Sequence, residues 1–214
     1  GLKTTFLFRA LLSWAEEEKY DYVFFDVGPS LGAINRTVLL SCDYFILPMS
    51  SDIFSLRGLQ NMEVAIKNWN KGLDRGLASF EEDNGNKFFF DDGSEPTRGD
   101  IKFLGYVTQQ YTAKTVGGKK QPVDAYEKII RKIGPAIKKH LVVSFNGGQN
   151  MNYKLGEIPY FHSLVPMAQT ATKPIFHLKS ADGVLGAHFD KVKQFEAVIS
   201  EIATNLSKNL DALQ

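Results

Sequence analysis

Tyr20-Asp21-Tyr22-Val23-Phe24-Phe25-Asp26-Val27-Gly28-Pro29-Ser30-Leu31-Gly32 sets a β-prone run directly before an acid and a glycine-proline turn. An apolar run bounded by turn residues is how a buried parallel strand ends in a loop, so this stretch predicts a strand over Tyr22–Phe25 with Asp26 at its carboxyl end. Upstream, Leu7, Ala10, Leu11 and Trp14 recur at helical spacing and predict a helix over 4–18. Downstream, a helix from Ala33 to Leu40 leads to a strand over Tyr44–Leu47 that Pro48 stops, and Leu59, Met62, Ile66 and Trp69 mark another helix. Ile101–Thr108 and Tyr153–Ile158 read as further strands. A basic helix over Pro122–Lys139 has Ala125, Ile129, Ile133 and Ile137 on its core face and Gly134-Pro135 as a kink. A final helix runs from His188 to Leu210 on Val192, Phe195, Ile199, Ile202 and Leu206.

Strands alternating with helices predict an α/β fold, a mostly parallel sheet with helices on both faces. Binding sites in such sheets lie at the carboxyl ends of strands, where Asp26, Thr108 and Pro159 fall. A chain of 214 residues, 43% hydrophobic and 23% charged, is expected to bury one core as a single domain over 1–214. The stretch 71–100 is read as an acidic insertion loop whose only apolar cluster is Phe88-Phe89-Phe90.

No apolar run approaches the roughly 20 residues that cross a bilayer, and no signal-peptide pattern opens the chain. Cys42 is the single cysteine, which excludes an intramolecular disulfide, and these features predict a cytoplasmic protein. Gly1 without a preceding methionine predicts a processed or truncated start and a longer parent. Net charge is only +1, yet 81–100 carries a local balance of −5 and 119–140 one of +5.

The opening stretch resembles the Walker B and switch II region of ParA/MinD ATPases, whose pattern is Y-D, an apolar strand, then D-x-P-P-S-L-G. Here the resemblance continues through Leu39-Leu40, Cys42-Asp43, the run into Pro48, and Ser55-Leu56-Arg57-Gly58-Leu59. Leu155-Gly156-Glu157-Ile158-Pro159 resembles the family's late strand and its I-P turn, and Ala168 with Lys173-Pro174-Ile175 stands near its switch-adjacent loop. Each motif is weak alone, but their order and spacing are specific together. The family has proline where this chain has Gly28, and that departure implies a more flexible switch.

What the resemblance implies for the site is consistent with elementary chemistry. Asp26 would hold a hydrated magnesium ion, since magnesium takes one or two carboxylates plus phosphate oxygens. Gly28 would let the backbone approach a γ-phosphate, and Pro29 would stiffen the loop that senses it. For an isolated D-x-x-P, an aspartate capping a turn is the better reading; the surrounding pattern reverses that preference. Thr108, Gln109 and Pro159 are implied near the purine ring, with polar groups at its edge and proline on its face; Gln109 as a solvated loop residue is the alternative. His162, His177 and His188 have no metal-ligand spacing with Cys42 or one another, and Ser30 lacks a nucleophile elbow.

A phosphate-binding loop needs a glycine-rich turn ending in Gly-Lys-Ser/Thr, and the chain's only Gly-Lys, Gly118-Lys119, is followed by Lys120 with no suitable strand before it. The chain alone is therefore expected not to hydrolyse ATP, whereas the full-length parent is expected to be an ATP- and magnesium-dependent ATPase. The resemblance implies a ParA-like switch that homodimerises on ATP, binds DNA non-specifically on the nucleoid, and is stimulated by a ParB-like activator. Lys128, Arg131 and Lys132 on the basic helix are the candidate DNA contacts, with a solvated face as the alternative and Lys173, Lys179, Lys191 and Lys193 as other bases. A MinD-like positioning ATPase on a membrane or protein scaffold ranks second, because the last helix ends too polar for strong insertion. A degenerate, non-catalytic binding module is third.

Overall fold

The computed structural model describes residues 2–214 apart from 29, 51, 91–92, 94, 97–100, 110–113, 117–118, 122–123 and 162. The protein is α/β. Its main sheet has the order β1-β2-β5, built from β1 (Tyr44–Ser50), β2 (Lys102–Gln109) and β5 (Lys154–Ile158), with β2 and β5 parallel. A separate antiparallel pair joins β3 (Lys114–Val116) to β4 (Lys119–Gln121). The helices are α1 (Leu2–Thr5), α2 (Arg9–Glu17), α3 (Ala33–Leu39), α4 (Ile53–Asn84), α5 (Asp124–Ile137), α6 (Val143–Asn146), α7 (Leu164–Ala171) and α8 (His188–Leu213). A π-helical turn, Lys138–Val142, joins α5 to α6.

Several sequence expectations need correction. Tyr22–Phe25 is not a strand: residues 22–28 form no regular element, and Tyr22, Val23, Phe24 and Val27 are all exposed. A strand exists only through its hydrogen-bonded neighbours, and among the described residues the run pairs with none of β1, β2 or β5, whatever its propensity. The expected helix over 4–18 is interrupted between α1 and α2. β1 does not stop at Pro48 but continues to Ser50; it is an edge strand in the sheet order, where an exposed proline with no N–H removes no obligatory ladder bond.

The helix expected around Leu59–Trp69 runs for 32 residues, so the stretch read as a loop from Lys71 is helical as far as Asn84. Leu59, Ile66 and Leu73, seven apart, are its buried positions, and that spacing carries the core-facing stripe past Gly72 and Gly76. The basic helix begins at Asp124, Pro122 lying outside the described residues, and holds Pro135 inside its last turn before passing into the π-helical turn.

The chain divides into two compact units: residues 1–45, 57–103 and 139–148, and residues 46–56, 104–138 and 149–214. In the first, Phe6, Leu73 and Phe88 form a buried cluster, Phe90 meets Phe6 edge-on at 5.2 Å, and the Arg9 guanidinium lies 4.7 Å from the Phe90 ring centroid. Phe88 and Phe90 thus anchor the acidic stretch while Phe89 is exposed, since ring faces attract both ring edges and cations. Phe45 packs on Phe103 and Phe145 at 5.2 and 5.4 Å.

In the second unit α8 packs on β5. Gly156 permits the close approach: a Cβ there would stand 2.5 Å from Ile202 Cγ1. Asn209 Nδ2 donates to the carbonyls of Leu104 and Asn152, and Asn205 Nδ2 donates to that of Leu155, so helix side chains satisfy backbone acceptors around the sheet. Phe161, Leu164, Leu178, Val184 and Val192 form a further buried cluster in this unit. No helix among the described residues is long and apolar enough to cross a membrane.

Candidate functional site

In the second unit the parallel register of β2 and β5 brings three expected residues to one end of the sheet. Thr108 pairs with Glu157, Gln109 with Ile158, and Pro159 follows Ile158 directly. Both strands run the same way, so these are carboxyl ends, where loops diverge and leave room for a ligand. Gln109 is exposed and Pro159 half-buried, whereas Thr108 is buried at 8% exposure. The Thr108 hydroxyl is buried with no hydrogen-bond partner among the described residues. Leaving a buried hydroxyl unmet costs about 1–3 kcal/mol, so a polar contact made to it would be stabilising.

In the first unit Asp26 is exposed in an irregular segment, and no hydrogen bond or ion pair engages it among the described residues. The absence of a strand there changes its setting: an exposed carboxylate is available to a hydrated cation but is not held by a ladder. Gly28 is also exposed, and Pro29 lies outside the described residues. A Cβ at Gly28 would meet nothing within 4 Å. Of the expected site residues, the structure thus gathers Thr108, Gln109 and Pro159 in one unit and keeps Asp26 near Gly28 in the other.

Sequence reasoning missed Asn35. Its Nδ2 donates to the carbonyls of Gly28 and Ser30, both at 2.6 Å, from the first turns of α3, and the residue is 9% exposed. The available signal was an amide side chain placed early in a helix that follows a glycine-proline loop, since short polar side chains there bond local backbone.

A second missed constellation centres on Glu63 of α4. Its Oε1 accepts from Lys67 Nζ at 2.7 Å and from Ser144 Oγ at 2.6 Å, and its Oε2 accepts from His140 Nδ1 at 2.7 Å. A carboxylate offers only acceptors, so His140 must carry its proton on Nδ1. Burial raises the Glu63 pKa, but the hydrogen bonds from Lys67, Ser144 and His140, with the Lys67 charge, outweigh it and bring the value down to about 2. The π-helical turn presents His140 to this carboxylate, and the group ties 139–148 to α4 within the first unit. Elsewhere, burial and the neighbouring Asp43 carboxylate raise the Cys42 thiol to about 11, which leaves it in its unreactive protonated form.

Lys128, Arg131 and Lys132 are exposed on α5, while Ile133 and Ile137 are buried on its other face and Ile129 is half-buried. The side chain of Ala125, and His162 as a whole, lie outside the described residues.

Residues 3–78 match a family described as an AAA domain. No curated protein matches the chain. Among solved structures, the crystal structure of protein DIP2308 from Corynebacterium diphtheriae is similar, with 22% identity and a TM-score of 0.58, covering 97% of this chain and 55% of that one. The chain therefore spans about half the length of that structure's chain. Taken with the parallel sheet, these likenesses support a P-loop, ParA-like fold.

In the first unit the exposed Asp26 carboxylate has the chemistry of a ligand for a hydrated magnesium ion. When bound, magnesium neutralises phosphate charge.

Proposed function

We propose that this chain is the base-side and metal-side portion of a ParA-like nucleotide-switch ATPase, which in its full-length parent binds magnesium-ATP, homodimerises, and engages DNA non-specifically under a ParB-like activator. The observation that carries the nucleotide reading is the parallel register that sets Thr108, Gln109 and Pro159 together at the carboxyl ends of β2 and β5. A serine or threonine hydroxyl can donate or accept, so it can serve either kind of position on a purine edge. The AAA-domain match over 3–78 supports the same class from the other unit.

Thr108→Val in the full-length parent tests this directly, because valine keeps the shape and removes the hydroxyl. Adenine-nucleotide affinity is expected to fall about fivefold to tenfold, in line with loss of one hydrogen bond, while thermal stability holds or rises. Unchanged affinity for ATP and ADP alike would remove Thr108 from the site.

One observation favours the non-catalytic binding module as a second reading: Asp26 is not held at a strand end in this chain. Magnesium-dependent ATP turnover by the full-length parent decides against that module. The membrane alternative is weaker, since Asn209 and Leu213 near the end of α8 are buried rather than displayed for insertion.

A further inference from the structure

We propose that the Asn84-Gly85 pair at the end of α4 is a covalent modification site at which the side-chain amide of Asn84 is converted, without an enzyme, to aspartate and isoaspartate. The reaction consumes only water and needs no nucleotide. The Gly85 backbone nitrogen bonds to Asn84 Cγ, the Cγ–Nδ2 bond breaks, and the proton lost by Gly85 leaves with Nδ2 as ammonia. Water then opens the resulting five-membered imide at either carbonyl, which restores the ordinary chain or leaves it joined through Cγ. Nothing is oxidised or reduced. Crowding at the attacking nitrogen limits the first step, so a glycine after the asparagine favours it, having no side chain to shield that nitrogen.

The chain holds two Asn-Gly pairs, Asn84-Gly85 and Asn146-Gly147, and the fold gives them opposite settings. Asn84 and Gly85 are both exposed, Asn84 as the last residue of α4 and Gly85 with φ at 70° just beyond it. Two bonds hold them: Asn84 Nδ2 donates to the Phe80 carbonyl at 2.8 Å, and the Gly85 N–H donates to the Glu81 carbonyl at 2.9 Å. Both belong to the last helical turn, where water replaces such bonds and fraying is cheap, so one local opening frees the nucleophile and its target together. Asn146 is half-buried, and both ends of its amide are held by the backbone of the fully buried Phe103, 43 residues away. Freeing that side chain means opening the start of β2.

Conversion also changes the helix end. A carboxylate at position 84 cannot donate to the Phe80 carbonyl, and it places negative charge at the carboxyl end of α4, which the helix dipole opposes. Phe80 meets Phe88 edge-on at 5.3 Å, and Phe88 is buried with Phe6 and Leu73, so the loosened turn borders the aromatic cluster.

Ageing the 214-residue chain in mildly alkaline buffer, followed by peptide mapping with mass spectrometry, tests the site. Asn84 is expected to convert at least about tenfold faster than Asn146, and in urea that unfolds the chain the two should react within about threefold of one another. The aged peptide around position 84 should accept a methyl group from S-adenosylmethionine through an isoaspartyl carboxyl methyltransferase. Gly85→Asn keeps a residue that tolerates positive φ and adds a Cβ that meets nothing within 4 Å, so it should slow conversion at Asn84 about tenfold without disturbing the fold. An Asn84 that stays an amide in the folded chain while the unfolded chain converts would overturn the site. Equal rates at Asn84 and Asn146 in the folded chain, or a preference that persists in urea, would overturn the role given to the fold. For the consequence, Asn84→Asp should speed hydrogen exchange in the last turn of α4 and leave Leu59 and Ile66 unchanged; unaltered exchange in that turn would overturn the loosening.

Discussion

Asn146 holds Phe103 by both of its backbone groups: Oδ1 accepts the Phe103 N–H at 2.9 Å and Nδ2 donates to the Phe103 carbonyl at 2.8 Å. A side-chain amide here does what a neighbouring strand does, pairing donor and acceptor of one residue at the start of β2. Phe103 is fully buried at 0% exposure, so no water replaces these bonds if they are lost. Asn146→Ala is expected to destabilise the protein by about 2–3 kcal/mol, and Asn146→Asp by more, because a carboxylate then faces a carbonyl. Urea unfolding of the three proteins checks this; equal midpoints would show that the amide is dispensable.

The Glu63 group gives a pH dependence with a definite sign. Its pKa is lowered from 4.5 to about 2 in the folded protein, so its contribution is fully present above pH 4.5 and is lost as pH falls toward 2. Glu63 is 17% exposed and its partner Lys67 48% exposed, so solvent screening limits the contribution to on the order of 1–2 kcal/mol. Wild type and Glu63→Gln should differ in thermal midpoint near neutral pH and converge near pH 2. A gap that stays constant across that range would assign the effect to packing.

Asp26 tests the metal side. In the full-length parent Asp26→Ala should lower ATP turnover by about a hundredfold or more while the fold survives, since loss of a charge-orienting group costs on that order. The exposed position of Asp26 predicts a neutral effect on stability. Wild-type turnover at saturating magnesium-ATP would take Asp26 out of the mechanism. The 214-residue chain alone should show no tight ATP binding by calorimetry, and a submicromolar dissociation constant would reveal a phosphate site of another kind.

The exposed face of α5 tests DNA binding. Lys128, Arg131 and Lys132 stand at i, i+3 and i+4, a spacing that gathers side chains on one side of a helix. If they contact phosphates, changing all three to alanine in the full-length parent should weaken binding equally across unrelated sequences. The logarithmic salt slope should flatten by roughly two to three, at about 0.9 per phosphate. A triple variant that binds like wild type at every salt concentration would leave α5 an ordinary solvated face and move attention to Lys173, Lys179, Lys191 and Lys193.

Periodicity made the regular core legible. β2, β5, α3 and α8 appear within a few residues of where apolar spacing places them, because each buries one consistent face. The run at Tyr22–Phe25 misled because strand propensity describes a residue's fitness for a ladder and says nothing of whether a ladder is there. α4 was underestimated because the stretch from Lys71 reads as an acidic loop, while Leu73, buried with Phe6 and Phe88, continues the core-facing stripe of Leu59 and Ile66. At the candidate site, Thr108 and Pro159 were visible as strand ends, whereas Gln109 came only with the family resemblance. The Glu63–His140 contact joins residues 77 apart, and no local pattern announces it.

The irregular run from Tyr22 to Val27 also bears on how long such a chain lasts. Phe24 is 72% exposed and its neighbours are aromatic or branched, so the segment offers an extended, accessible substrate to chymotrypsin-like proteases and a greasy handle to chaperones. Limited digestion of the 214-residue chain should cut here before it cuts in α4 or α8. The lifetime of the polypeptide in a cell would then be set less by the depth of its core than by how quickly this short ribbon is shielded after synthesis.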